Sequence, residues 1–193
     1  MTIPEYNARM GKVIKDSQRN EEVMVRLGAS ALTWIKERVI ETGVNAKGQK
    51  FKPYSTRPTL AGGKSFRTVK YAAQVLGSKA KRKGFDWVTV NGHRLVVVKG
   101  GYKEIRQLQG LQTDHVDFSV TNEMWGDINI ISKSSDHQKG TVIIGAKKES
   151  EKKKLEGNTK RRGDILDLNP HEIEDLYNGY NLNMLQIFRN NGL

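Results

Sequence analysis

Three residues near the middle of the chain, Asp114, His115 and Asp117, are of types that metal ions accept as ligands. On a β-strand, His115 and Asp117 would project from the same face, because side chains alternate along a strand. Such a group predicts a site for a divalent cation, and a metal-dependent nuclease is one enzyme that would use it. The alternative is that three residues of these types occur by chance beside a turn.

The other residues that could take part in catalysis are scattered. The four histidines (His93, His115, His137 and His171) lie far apart, and the chain has no HExxH, G-x-S-x-G or P-loop motif. The chain has no cysteine, which excludes disulfides, thiol catalysis and zinc sites built on cysteine. We therefore expect a protein that is not an enzyme and that needs no cofactor and no metal.

The positive charge of the chain is concentrated in one segment. Between Ala46 and Lys103 there are 14 Lys or Arg residues and a single acid, Asp86, so this segment carries +13 while the whole chain carries +12. The remainder is nearly neutral. A segment of this kind favours an anionic partner, and the alternative is an ordinary solvated loop.

Within this segment, two β-branched runs flank Asn91-Gly92. Asn-Gly between such runs predicts a type I′ hairpin turn, because both central residues must take φ > 0. We expect a stiff β-ribbon whose apolar face contacts either a neighbouring molecule or the protein's own sheet. The residues predicted to contact a partner or DNA are Lys79, Lys81, Arg82, Lys83, Arg94 and Lys99. Those predicted to build the assembly arm are Trp87, Asn91, Gly92, Val96 and Val98.

Helices are predicted at both ends of the chain. Thr2 to Glu5 resembles a capping box, and a longer helix is expected from Glu21 to Thr42 with Gly43 just beyond its end. Asn169-Pro170, with Glu172 two residues later, is typical of a helix start. The last helix should pack on the sheet or on the second helix through one apolar stripe, which consists of Ile173, Leu176, Tyr177, Tyr180, Met184, Ile187 and Phe188.

The middle of the chain predicts strands at 116–120, 127–132 and 141–145 and helices at 65–76 and 146–155. Together these elements predict an α+β fold, with a small, mostly antiparallel sheet packed by two to three helices. We expect residues 1–193 to form one domain, with 45–103 inserted in it as an extended basic loop and hairpin arm. The chain has neither a signal peptide nor an apolar run of ~20 residues, which predicts a soluble protein that does not bind membranes.

Three stretches resemble the virion-morphogenesis family of tailed bacteriophages, that is, their tail-completion and head–tail connector proteins. They are "ERVIETGVNAKGQKFKPYS", "GYKEIRQLQGLQTDHVDFSVTNEMWGDI" and "RRGDILDLNPHEIEDLYNGYNL", in that order, and they carry structural motifs with no active-site signature. Residues 64–98 look like an insertion relative to the family pattern.

The resemblance implies a structural virion protein that forms a homo-oligomeric ring at the head–tail joint. It would be assembled in the host cytoplasm and located in the neck or tail of the virion. Its partners would be copies of itself, portal or head-completion proteins, tail proteins and, non-specifically, the packaged DNA. The alternative function is a basic nucleic-acid-binding protein that lays the 79–98 hairpin region along the phosphate backbone.

Overall fold

The computed structural model describes residues 2–17, 20–62, 65, 86–119, 121–135 and 140–193. The chain forms two compact units, Met1–Gln49 with Met124–Leu193 as the first and Lys50–Glu123 as the second. The helices combine with two antiparallel sheets of three and two strands, so the predicted α+β class is confirmed. No helix in these ranges has both the length and the apolar character needed to cross a bilayer.

The first unit begins with two helices, α1 (Ile3–Ser17) and α2 (Asn20–Glu37). The predicted capping box of α1 is confirmed, since the Thr2 amide donates to Glu5 Oε2 at 2.7 Å and the Glu5 amide donates to Thr2 Oγ1 at 3.4 Å. A π-helical turn (Arg38–Thr42) continues α2 and ends at Gly43, which has a φ of 65°. The prediction of a helix up to Thr42 is therefore confirmed.

Helix α2 packs on a two-stranded sheet formed by β4 (Ile128–Ser135) and β5 (Gly140–Ala146). Gly28 allows the helix to approach the sheet closely, because a Cβ there would lie 2.7 Å from Val142 Cγ1. The core of this unit includes Ile35, Val39 and Ile128. Both strands confirm the predicted hairpin, although each is longer than expected.

The short helix α4 (Glu123–Asp127) precedes β4, and two longer helices, α5 (Glu149–Arg162) and α6 (Pro170–Asn190), follow β5. Helix α6 starts with a capping box in which the Glu172 amide donates to Asn169 Oδ1 at 2.8 Å and the Asn169 amide donates to Glu172 Oε2 at 2.7 Å. The predicted start is thus confirmed. Arg38 also binds Glu172, at 2.8 Å, which fixes the first turn of α6 next to the end of α2.

The second unit contains β1 (Thr59–Ala61), β2 (Asp86–Val90), β3 (His93–Val98) and the helix α3 (Gly101–Leu108). The strands form an antiparallel sheet in the order β1-β3-β2, and Ala61, Val96, Val98 and Ile105 form a core within it. The described part of the inserted segment therefore differs from an extended arm. It is a compact unit that continues beyond residue 103 to Glu123.

Two further elements predicted in this unit, a helix and a strand, are not confirmed. The helix expected at 65–76 lies outside the described residues except for Ser65. The strand expected at 116–120 is wrong for its described part, since residues 116–119 form no ladder and Phe118 has a φ of 54°. The reason is a buried hydrogen-bond network around Asp117, which sets the local backbone in place of strand pairing.

Candidate functional site

The hairpin β2–β3 has the predicted turn. Asn91 and Gly92 have φ values of 50° and 74°, as a type I′ turn requires, and Val90 pairs with His93 across it. Trp87 faces Val96 in the same register. The turn fixes the ribbon geometry, because few other residue pairs adopt two successive positive φ angles at low cost.

The apolar face of this ribbon is covered within its own unit. Val96 and Val98 are fully buried against Ala61 and Ile105, and Trp87 packs beside them with part of its ring exposed. Of the two predicted alternatives for this face, contact with the protein's own unit is therefore the one observed for Val96 and Val98. The tip, with Asn91 and Gly92, remains exposed.

The predicted contact cations have separate outcomes. Arg94 is exposed, and its guanidinium carbon lies 4.4 Å from the centroid of the Trp87 ring, a cation–π distance. Lys99 is exposed and lies 3.5 Å from Asp86, which is also exposed. The predicted cations at positions 79 to 83 lie outside the described residues; they are Lys79, Lys81, Arg82 and Lys83.

The two units differ in charge. Residues 50–123 contain 14 Lys or Arg and five Asp or Glu residues, a net charge of +9, and the remaining residues contribute +3 of the total of +12. The excess of positive charge therefore belongs to the second unit as a whole. The chain therefore combines a strongly basic unit with one whose net charge is much smaller.

The second unit also holds a buried charged network. Arg106, which is 1% exposed, donates from Nη2 to both carboxylate oxygens of Asp117 at 3.0 and 2.9 Å. Its other nitrogens donate to the carbonyls of Gln112 and Ser119 at 3.0 and 2.6 Å. Tyr54 Oη donates to Asp117 Oδ1 at 2.8 Å, and the Arg106 guanidinium lies over the Tyr54 ring at 4.4 Å.

This network explains the raised pKa of Tyr54 and the turn of the backbone after Asp117. Burial, followed by the hydrogen bond to Asp117, raises the pKa of the Tyr54 phenol well above its usual value. The Asp117 carboxylate also accepts from the Ser119 amide at 2.8 Å, which holds the chain in an Asx-type turn. The network joins three separate segments of the unit, so its role is to fix their relative positions.

The residues proposed for a metal site are not arranged as ligands. Asp117 is engaged by Arg106 and Tyr54, and the strand that would have aligned it with His115 does not form. The His115 carbonyl accepts from Gln112 Nε2 at 3.0 Å, whereas Asp114 is exposed. Across the described ranges, no three His, Asp or Glu side chains are grouped as metal ligands.

In the first unit, helix α1 leaves much of its apolar face uncovered. Ile3, Tyr6, Met10, Val13 and Ile14 share this face at helical spacing, yet Val13 alone among them is buried. Ile3 is 78% exposed, and Tyr6 and Ile14 are exposed as well. An amphipathic helix with its apolar face in solvent is typical of a protein that buries this face in an assembly.

Helix α6 shows the same feature more extensively. Its contact with α2 confirms the predicted packing, but the prediction is wrong for Ile173 and Tyr177, which are 54% and 66% exposed. Leu182 and Leu185 are exposed too. The physical reason is that α6 has apolar side chains on more of its circumference than α2 and α1 cover. Their number between Ile173 and Phe188 was the sequence signal for a second contact surface.

The outer face of the β4–β5 sheet adds a groove. A cavity of about 590 Å³ has apolar walls from Ile131, Ile144, Leu155 and Leu166. Its rim is charged, with Lys147, Glu149, Lys152 and Glu156. Ile131 and Ile143 are about half exposed on this side of the sheet. The groove is open to solvent.

Comparisons of the chain with protein-family models, with curated proteins and with solved structures found no match.

Proposed function

We propose that the protein is a structural subunit that assembles with copies of itself into a ring at the head–tail joint of a tailed bacteriophage. The observation that carries this proposal is the exposed apolar surface of the first unit. Ile3 and Ile14 on α1 and Ile173, Tyr177 and Leu182 on α6 are all more than half exposed. Large apolar side chains concentrated on two helices in this way mark a protein–protein contact.

The second unit supports the same function by its rigidity. The apolar core of Ala61, Val96, Val98 and Ile105 anchors the β2–β3 hairpin, and the network of Arg106, Asp117 and Tyr54 joins the neighbouring segments of the unit. Subunits with preordered contact elements lose less conformational entropy on assembly than those with flexible ones. Two distinct units in one chain also suit a ring, in which each subunit contacts its two neighbours through different surfaces.

The location at the head–tail joint rests on the sequence resemblance. The family motifs lie in both units, since "FKPYS" and "VDFS" supply Tyr54 and Asp117 of the network, and "LDLNPHE" supplies the cap of α6. These motifs are thus the residues that stabilise the two units. Portal, head-completion and tail proteins are the partners proposed for the finished ring.

The test is the oligomeric state of the purified protein. We expect sedimentation velocity to show a defined oligomer without nucleic acid, and negative-stain electron microscopy to show rings with a central opening. A double variant, Tyr177→Ser with Leu182→Ser, should shift the distribution towards monomers while circular dichroism stays unchanged. A wild-type protein that remains monomeric at all concentrations and in all salts would refute the proposal.

A second function is favoured by one observation, the exposed cations of the second unit. Arg94 and Lys99 lie on the hairpin, and the unit carries +9 overall. A nucleic-acid-binding protein of this kind would bind duplex DNA with an affinity that falls steeply with salt. Fluorescence anisotropy with a labelled duplex separates the two functions, because this one predicts a monomer or dimer with tight, salt-dependent binding.

A further inference from the structure

We propose that the β2–β3 hairpin of one subunit docks on the outer surface of helix α6 in a neighbouring copy of the same chain. This inference rests on the proposed ring function and names its contact surfaces. The α6 outer surface is defined here by exposed side chains along 13 residues of the helix; it consists of Ile173, Glu174, Tyr177, Leu182 and Leu185.

The α6 outer surface combines apolar and acidic groups. Residues 164–188 include five Asp or Glu residues and no Lys or Arg. Of these acids, Glu172 is paired with Arg38, whereas Glu174 is exposed beside Tyr177 on the same side of the helix. A partner for this surface therefore has an aromatic or aliphatic contact and a cation close to it.

The hairpin offers this combination. Arg94 is exposed and lies over the half-buried Trp87 ring, so that a cation and the open part of an aromatic ring lie together on one face of the ribbon. Trp, Arg and Tyr are the residue types that contribute most to binding at protein interfaces. The sizes also agree, because α6 rises about 18 Å from Ile173 to Leu185. The five residues of β2 span about 17 Å.

Charge complementarity favours a second copy as the occupant. The hairpin belongs to the unit with a charge of +9, whereas the stretch that contains α6 is acidic until Arg189. Each chain carries both surfaces, and the two surfaces differ, so the contact is head-to-tail. Repetition of a head-to-tail contact gives a closed ring when the rotation per subunit closes.

A charge swap tests this contact. In Arg94→Glu and in Glu174→Arg, each alone, like charges meet across the interface, and we expect self-association to weaken by about tenfold or more in both. The double variant restores opposite charges and should recover most of the wild-type affinity. Tyr177→Ala removes the central aromatic contact and should weaken association by about thirtyfold or more.

Matched controls come from the exposed ion pair between Glu21 on α2 and Lys133 on β4. Glu21→Lys and Lys133→Glu each reverse one charge outside the proposed contact, and both should associate like the wild type. Sedimentation velocity across a concentration series gives the affinities, and thermal melting checks that each variant is folded. If Arg94→Glu has a lower melting temperature than the wild type, the single variants Arg94→Gln and Glu174→Gln replace the charge swap. Each of them should then weaken association.

The outcomes separate the two proposals. Rings that form equally well from all α6 and hairpin variants would overturn the docking contact and leave the ring function standing. Single reversals that weaken association, with a double variant that is no better than either, would also overturn it, because the two charges then do not meet. A wild-type protein without self-association would refute the ring function itself.

Discussion

The buried pair Arg106–Asp117 gives the sharpest test of how the second unit is held together. Asp117→Asn keeps the size of the side chain but removes its charge. The asparagine amide can take either of two orientations. With its nitrogen in place of Oδ2, two donors face each other, because Oδ2 now accepts from Arg106 Nη2 at 2.9 Å. With its nitrogen in place of Oδ1, the hydrogen bonds that Oδ1 accepts from Tyr54 and Ser119 are lost. The Arg106 guanidinium, 1% exposed, would be left without a counter-charge.

The expected cost is about 3 to 5 kcal/mol, because removing one partner of a buried ion pair leaves an uncompensated charge in a medium of low polarity. This is a large part of the total stability of a small domain, about 5 to 15 kcal/mol. We therefore expect the second unit to be strongly destabilised while the first keeps its stability. Arg106→Lys should not substitute for the native arginine, since an ammonium cannot reproduce the forked contacts with Asp117, Gln112 and Ser119.

Hydrogen exchange followed by mass spectrometry measures this directly, because peptides report on each unit separately. Amides in 86–119 should lose protection in Asp117→Asn, while those in α2 and α6 should keep it. The control, Glu149→Gln, removes a surface ion pair at 3.9 Å and should cost no more than about 0.5 kcal/mol. In the double variant Arg106→Met with Asp117→Asn, the cost should be below the sum of the single costs by about 2 kcal/mol. Additive costs, or equal loss of protection in both units, would refute the reasoning.

Three further predictions concern stability. Gly101→Ala should abolish folding of the second unit, since Gly101 has a φ of 67° and a Cβ there would lie 2.6 Å from the Ser55 carbonyl oxygen. Gly92 has a φ of 74° but open space around it, so Gly92→Ala should cost only about 1 kcal/mol. Thermal melting measures both. Asn169→Ala removes one half of the α6 capping box and should lower stability by about 1 kcal/mol in urea titration. The pKa of the Tyr54 phenol is raised in the folded state, so its contribution to the free energy of unfolding is intact below pH ~10 and is lost progressively above it. Above that pH the wild type should therefore lose stability faster than Tyr54→Phe, by up to about 1.4 kcal/mol per pH unit. Equal slopes of stability against pH in the two proteins would contradict this.

Features that depend on near neighbours in sequence could be predicted. The capping boxes at Thr2 and Asn169, the end of the second helix at Gly43 and the Asn91-Gly92 turn all form as expected. Each is a contact within a few residues, so a fixed spacing of residue types is enough to specify it.

Features that depend on distant contacts could not be predicted. Nothing local to Asp117 indicates that Arg106 and Tyr54 converge on it, and this convergence replaces the expected strand by a turn. Helix α5 likewise runs seven residues beyond its expected end, through Gly157, although glycine disfavours a helix interior. Asn158 contacts Met124 there, at 3.8 Å, so tertiary packing outweighs the local preference.

The compactness of the second unit changes what the basic segment can do in an assembly. An extended arm would lose the conformational freedom of each residue that it orders on a partner, about 1 to 2 kcal/mol per residue for the backbone. The β2–β3 hairpin has already lost that freedom, because Val96 and Val98 anchor it to the core of its own unit and the Asn91-Gly92 turn fixes its tip. A small contact can therefore be specific without burying a long arm. The proposed example is the contact of the hairpin residues Trp87 and Arg94 with helix α6 of the next subunit. In the proposed ring, the exposed apolar side chains of α1 would add contact area that the hairpin does not have to provide.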